Sequence, residues 1–260
     1  MNKISAVIIA KNNENDIKRC LTSLKDVADE IIVVDAFSQD RTPEISKKLG
    51  ATVYQIEWHG YSRNKNYGNQ KASHDFILSI DSDEALSPEL AAAIIAAKPD
   101  LGSLYTFNRR TNYCGKWIRH CGWYPDVKLR LFDRRVAQWE GDFVHEQLQF
   151  DPKIPVQHLS GDLLHYSFNS ISDHIKRLDR YSTLAAQDIV RKNKRVPLWE
   201  IVISPLVKFL KTYFLKLGVL DGFYGFCISI ISGVDVFIRY AKVREAYLAQ
   251  YNKARPESNL

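Results

Sequence analysis

Leu78-Ser79-Ile80-Asp81-Ser82-Asp83-Glu84 runs from apolar residues straight into a cluster of acids. With two more apolar residues before it, the segment 76–81 reads as a buried strand. Ser87 and Pro88 beyond Glu84 read as the cap and first residue of an alanine-rich helix bounded by Pro99. A strand that ends in carboxylates and leads into a helix is the repeating unit of an α/β domain, whose ligands gather at the carboxyl ends of parallel strands.

The same unit recurs upstream. Residues 4–10 read as a buried strand, and Ile17, Cys20, Leu21 and Leu24 then follow at the spacing of one helix stripe. Residues 31–35 form a second strand ending in Asp35. The loop after it ends at Thr42 and Pro43, read as N-cap and first helical residue, with Gly50 as the stop. Residues 51–56 are the third strand. Downstream, 104–107 and the alternating Val127-Lys128-Leu129-Arg130-Leu131 read as half-buried antiparallel strands, and 163–166 as a further short one. Ser172 is expected to cap a helix carrying Ile175, Leu178, Ala185 and Ile189.

The composition is that of an ordinary globular protein, 45% hydrophobic and 25% charged over 260 residues, which excludes disordered, fibrous and disulfide-stapled classes. The net charge of +6 is unevenly placed. From Arg191 on there are 12 Lys and Arg against 5 acids, leaving 24 bases and 25 acids for the first 190 residues. A nearly neutral body therefore carries a basic tail. Within it, residues 206–218 read as an amphipathic helix with Lys208, Lys211 and Lys216 in its polar sector. Residues 222–234 are apolar but shorter than the roughly 20 residues of a spanning helix. Core packing and contact with an anionic membrane surface both suit this region. Four cysteines without a CxxC pair, and an N-terminal apolar run too short for a signal sequence, lead to the expectation of a reducing cytoplasm. Cys114, His120 and Cys121 offer three zinc ligands without a fourth, so idle or buried thiols are the expected reading.

Two carboxylates at i and i+2 after a buried strand can divide their work, one meeting a ligand hydroxyl and the other a hard divalent ion such as Mg or Mn. Alone the pattern also suits helix capping. It is joined here by Ala6-Val7-Ile8-Ile9-Ala10-Lys11-Asn12-Asn13-Glu14, by Glu30-Ile31-Ile32-Val33-Val34-Asp35 with Ser38, Asp40 and Thr42, and by Lys65-Asn66-Tyr67-Gly68. In order and spacing these runs resemble the family 2 glycosyltransferases of the GT-A fold. Trp139-Glu140-Gly141 with Val144-His145-Glu146, and Leu220-Asp221-Gly222, resemble more narrowly the bacterial lipopolysaccharide core β-1,4-glucosyltransferases.

The resemblance implies an α/β GT-A (Rossmann-like) mixed sheet flanked by helices over residues 1–170, with a helical, basic, membrane-associating extension over 171–260. It implies inverting transfer of glucose from UDP-glucose to a heptose of the inner core, on a lipid-linked oligosaccharide at the inner face of the cytoplasmic membrane. Other donors or polysaccharide acceptors of the same family remain alternatives. Ala10, Asn12, Glu14, Asp35, Lys65, Asp81 and Ser82 would form the donor site, with Asp35 on the uracil and Asp81 on the ribose. Lys65 stands where the family more often has Arg. Asp83 and His165 would hold the metal, and Glu146 would be the catalytic base, in a His-Glu pair where the family has Glu-Asp. Arg109, Tyr113, Trp117, Trp123 and His145 are expected toward the acceptor, because aromatic faces stack on sugars and cations meet phosphates. The same mixture suits single-stranded nucleic acid, and a nucleotidyltransferase would share the sheet and acid pair; neither is the favoured reading.

Overall fold

The computed structural model describes residues 2–102, 104–141 and 146–254, with side chains to residue 250. The chain divides into two compact units, 1–111 with 125–167, and 112–124 with 168–260. In the first, β1 (Ile4–Ala10), α1 (Ile17–Leu24), β2 (Glu30–Asp35), α2 (Thr42–Lys48) and β3 (Thr52–Gln55) are followed by α3 (Tyr61–Lys71), β4 (Phe76–Asp81), β5 (Glu84–Leu86) and α4 (Pro88–Ala97). Then come β6 (Leu104–Tyr113), β7 (Lys116–Trp117), β8 (Asp126–Asp133), β9 (Ala137–Glu140), β10 (Gln147–Phe150) and β11 (Val156–Phe168), of which β7 belongs to the second unit.

The main sheet has the order β3-β2-β1-β4-β8-β6-β11-β5. β3, β2, β1 and β4 are parallel, whereas β8 pairs antiparallel with both β4 and β6, and β11 antiparallel with β5. Every residue of β1 is buried, as expected of a parallel strand covered on both faces. One face packs Ile4, Ile8, Leu21, Leu90 and Tyr105 together; the other packs Val7, Ile9 and Val34 with Phe132 and Trp139. Helix α3 lies close on that second face. A Cβ at Gly68 would fall 2.4 Å from Val7 Cγ1 and 3.0 Å from Val34 Cγ2, so only glycine permits the approach.

The expected strands and the α4 start at Ser87 are present, with the Ser87 hydroxyl accepting from Leu90 N–H at 3.2 Å. Helix α3 was not anticipated, because its buried positions are polar or small: Ser62, Asn64, Lys65, Gly68 and Asn69. Asn64 is satisfied locally by His59 N–H and Glu57 carbonyl, whereas Ser62 and Lys65 depend on partners from other elements.

Those partners form a chain of alternating charges through the first unit. Lys65 Nζ lies 3.2 Å from Asp81 Oδ1, and Arg130 Nη2 lies 2.8 Å from Asp81 Oδ2 and 3.2 Å from Glu84 Oε1. Arg109 continues it, 3.3 Å from Glu84 and 2.8 Å from Asp126. The side chains of Glu84 and Lys65 are 0% and 1% exposed, so each charge depends on its neighbours for solvation. Burial pushes the Asp81 carboxyl up, but Arg130 and Lys65 outweigh it and hold the group well below the usual carboxylate range. Burial likewise opposes the charge on Arg130, and Asp81 and Glu84 outweigh it, holding the guanidinium above its usual value.

In the second unit, α5 (Ile171–Arg191) is capped by Ser170, whose hydroxyl accepts from Asp173 N–H at 3.1 Å; the expected cap, Ser172, lies inside the helix. The single helix expected over 206–218 is broken. Helix α6 (Leu198–Leu210) passes into a π turn at Lys211–Leu215, and Leu217 takes a left-handed conformation. The apolar stretch 222–234 is the start of a 33-residue helix, α7 (Gly222–Ala254). The segment 112–124, expected with the first domain, joins this unit. The Asp221 carboxylate accepts the backbone N–H groups of Arg119 and His120 at 3.3 and 2.8 Å, and its carbonyl accepts from Lys116 Nζ at 2.8 Å. Cys121 is buried near Asp221 and Gly225, and among the described residues no group of three metal-ligating side chains forms.

Removing Arg130 leaves the Asp81 and Glu84 carboxylates buried with weaker compensation. Arg130→Met is expected to lose about 3–5 kcal/mol of stability at neutral pH. Because the Asp81 carboxyl is depressed in the folded state, its contribution is complete above the ordinary carboxylate value and is lost as pH falls below it. The gap between wild type and Arg130→Met should therefore narrow on acidification, read from melting curves followed by circular dichroism; a gap independent of pH would deny the network this role.

Candidate active site

The parallel register sets the residues at the carboxyl edge of the sheet. Ala10 pairs with Asp35, and Ile9 with Asp81, so the ends of β1, β2 and β4 lie side by side. Asp35 is fully buried. Its carboxylate accepts from the Ser38 hydroxyl at 2.5 Å, Ser38 N–H at 3.0 Å and Gln55 Nε2 at 3.0 Å.

The loops after β1 and β2 are stitched together by side chains. Asn12, at φ 55°, donates its backbone N–H to Ser38 Oγ, and its Oδ1 accepts from Gln39 N–H, both at 2.8 Å. Asn13 N–H reaches Thr42 Oγ1 at 2.8 Å, and Glu14 N–H reaches Asp40 Oδ2 at 3.0 Å. The Glu14 carboxylate accepts from Arg41 in return. Asn12 and Glu14 thus shape the loop through their own hydrogen bonds. Thr42 acts here as an acceptor between loops, with Arg41 at the cap position of α2.

The acid cluster after β4 separates into different roles. Asp81 and Glu84 turn into the charge network, and Glu84 Oε2 also accepts from Asp81 N–H at 3.0 Å. Ser82 is buried between them in the turn. Asp83 points elsewhere, with Oδ2 3.4 Å from His165 Nε2. Pairing of β5 with β11 produces this contact: His165 lies opposite Glu84, and Tyr166 N–H donates to Asp83 carbonyl at 2.9 Å. His165 Nδ1 is buried and has no hydrogen-bond partner among the described residues. A carboxylate beside an imidazole suits a divalent ion of the Mg or Mn kind when oxygen ligands complete the shell, so the residues fit such a group.

Lys65 joins two candidate residues. Its ammonium lies 3.2 Å from Asp81 and 3.5 Å from Glu146 Oε1, over the Trp139 ring at 4.6 Å from the centroid. Glu146 is therefore held by a buried cation beside the β4 terminus. His145, expected next to the acceptor, lies outside the described residues, as does Val144.

The described residues expected at the acceptor divide between the two units. Arg109 belongs to the first unit and is bound by Glu84 and Asp126. Tyr113, Trp117 and Trp123 belong to the second. Tyr113 is 0% exposed: its ring meets Trp123, Phe168, His174 and Tyr224, and its hydroxyl lies 2.9 Å from His174 Nδ1. An enclosed ring packs as core, so the expected acceptor contact of Tyr113 does not fit its position. Burial, with Arg177 adding to it, lowers His174 to about 4, so this imidazole is neutral at ordinary pH. Trp123 stacks on Phe168 at 5.5 Å and is half-buried, as is Trp117.

Sequence reasoning missed Arg130 as the central cation of the site. In Val127-Lys128-Leu129-Arg130-Leu131 it occupies a polar position of an alternating strand, which reads as solvent-facing. Glu84, which the sequence shows only as the last acid of the run after β4, is an internal counter-charge. Gln55 carries no signal in the sequence; the pairing of β3 with β2 sets it opposite Asp35.

The model of glycosyl transferase family 2 matches residues 5–174. A glycosyltransferase of Rickettsia typhi is 31% identical over 270 residues, covering 97% of this chain and 90% of that protein. The lipopolysaccharide core biosynthesis glycosyltransferase LpsC of Rhizobium meliloti is 27% identical over 266 residues, covering 97% and 95%. A crystal structure of S. aureus TarS with UDP-GlcNAc is 26% identical at a TM-score of 0.37, covering 42% of this chain and 35% of that one. The family match spans the main sheet from the second residue of β1 onward, including the carboxyl edge that carries Asp35, Asp81 and Asp83, and the chain belongs to glycosyl transferase family 2, with the GT-A fold.

Proposed function

We propose that the chain is a metal-dependent, inverting hexosyltransferase that moves glucose from UDP-glucose to a heptose of the lipopolysaccharide inner core. The observation that carries this reading is the convergence of Asp81, Lys65 and Glu146 beside the Asp83–His165 pair. Family membership supports a nucleotide-sugar donor, and the likeness to LpsC supports the core oligosaccharide as acceptor. The basic tail supports peripheral attachment to the anionic membrane surface where a lipid-linked acceptor would lie.

In this reading the uracil lies at the loop that the buried Asp35 braces through Ser38, and Asp81 meets the ribose while Lys65 and Arg130 keep it ionised. Ala10, Asn12, Glu14 and Ser82 form the surrounding walls. Asp83 and His165 would hold a magnesium or manganese ion, which supplies charge neutralisation to the departing diphosphate. Glu146 takes the proton from the acceptor hydroxyl as that oxygen attacks the anomeric carbon on the face opposite UDP, so the C–O bond to UDP breaks and configuration inverts. Lys65 fixes the Glu146 carboxylate, and Arg109, Trp117, Trp123 and His145 are the acceptor-side candidates.

Glu146→Gln keeps the shape and removes the base. It should lower turnover about 10²-fold or more with donor affinity retained, measured as glucose transfer from labelled UDP-glucose and as UDP-glucose calorimetry. Wild-type turnover in this variant would remove Glu146 from the base role. Asp83→Asn should instead weaken UDP binding in the presence of manganese by at least about tenfold, with little change when the metal is chelated. Equal affinity with and without manganese in the wild type would reject metal dependence.

A further inference from the structure

The second unit exposes an apolar surface that its own packing leaves uncovered. On α6, Trp199, Ile203, Leu206 and Leu210 recur at helical spacing and are exposed, Trp199 by 61% and Leu206 by 60%. On α7, Phe223, Phe226, Ile230, Val234 and Phe237 form a second exposed stripe, with Phe223 at 68%. Between them the turn presents Phe214, Leu215 and Leu220, Leu215 at 78%. Exposed apolar stripes on two helices packed against each other mark an interaction site.

The charges around it indicate the occupant. Exposed Lys194 and Arg195 precede α6, and exposed Lys211 and Lys216 follow it; none of the four takes part in an ion pair among the described residues. Of the acids in this helical region, Asp221 is buried by the backbone of Arg119 and His120, Asp235 pairs with Arg239 on α7, and Glu200 lies half-buried in the first turn of α6. Apolar stripes ending in unpaired cations, with an exposed tryptophan at one end, match the acyl-to-headgroup boundary of an anionic bilayer.

By length and composition α7 could cross a membrane. Its packing argues otherwise. It is held against α5 and α6 along its length, and Lys242 bonds Asp179, Ser182 and Thr183 of α5. Gly233 lets α6 approach until a Cβ there would lie 2.9 Å from Pro205 carbonyl. A spanning α7 would break these contacts and carry Asp235, Arg239 and Lys242 into hydrocarbon.

We infer that α6, the turn after it and the amino-terminal half of α7 form a monotopic docking face that lies in the surface of an anionic bilayer without crossing it. This rests on the membrane-associated reading above and names the surface responsible, but its test reads lipid binding and is independent of donor chemistry.

The full-length protein is floated with vesicles of phosphatidylcholine containing about 30% phosphatidylglycerol. Wild type should float, and part of the binding should survive high salt, because apolar burial is not screened. The double variant Leu206→Glu/Phe223→Glu changes only exposed positions. It should lower partitioning at least about tenfold with an unchanged melting temperature. Tryptophan emission should be quenched by lipids brominated high on the acyl chain, and Trp199→Phe should remove that quenching. Flotation of the double variant equal to wild type, or failure of the wild type to float, overturns the proposal. Self-association of the wild type that the double variant abolishes, without flotation, would assign the face to a second copy instead. Protection of α7 from proteolysis only by detergent-sensitive insertion through both leaflets would replace docking with spanning. UDP-glucose affinity of the double variant, measured alongside, separates loss of docking from loss of the donor site.

Discussion

Arg130 between Asp81 and Glu84 is the contact on which the carboxyl edge of the sheet depends. Three acids within four residues would repel one another at the end of a buried strand, and desolvation would favour their neutral forms. By crossing beside β4, β8 delivers one guanidinium to two of them. Asp81 and Glu84 are then neutralised from within, and Asp83 remains to face His165. The acid cluster works as a divided set because the sheet turns antiparallel immediately beside it.

The same pairing places Lys65. A buried ammonium on a polar helix has no stability of its own, yet between Asp81 and Glu146 and over Trp139 it is satisfied on several sides. Gly68 allows α3 to sit low enough on β1 and β2 for this reach. Backbone approach, helix placement and the charge of one lysine are thus consequences of a single packing arrangement.

Local pattern made part of this legible. The runs ending at Ala10, Asp35 and Asp81 declare buried parallel strands, and Ser87-Pro88 declares a helix start, because each signal lies within a few consecutive residues. Asp83 beside His165 was anticipated through a family likeness, and β5–β11 pairing is what brings the two together. Arg130, Glu84 and helix α3 are hidden for one reason: a polar residue buried against a partner on another element, as Arg130 is against Glu84 and Asp81 at 46 and 49 positions away, resembles a solvated one until the pairing is known. Tyr113 misled in the opposite direction, since an aromatic among bases resembles a sugar platform and is in fact a core ring bonded to His174. In the tail, composition revealed the basic charge, but the break after Leu210 comes from the left-handed Leu217 and the buried Asp221, which no periodicity announces.

The route of the chain between its units has a consequence for how the protein is made. It enters the second unit at Asn112, leaves at Pro125 and returns at Phe168. Tyr113, Ile118 and Cys121 share their core with Ile228, and the carboxylate that ties down His120 belongs to a residue 101 positions later. During synthesis the segment 112–124 therefore emerges long before the helix that covers it. No single cleavage point or gene fusion boundary yields both units whole, so the unit that carries the main sheet cannot be exchanged by one crossover as a module apart from the helical one.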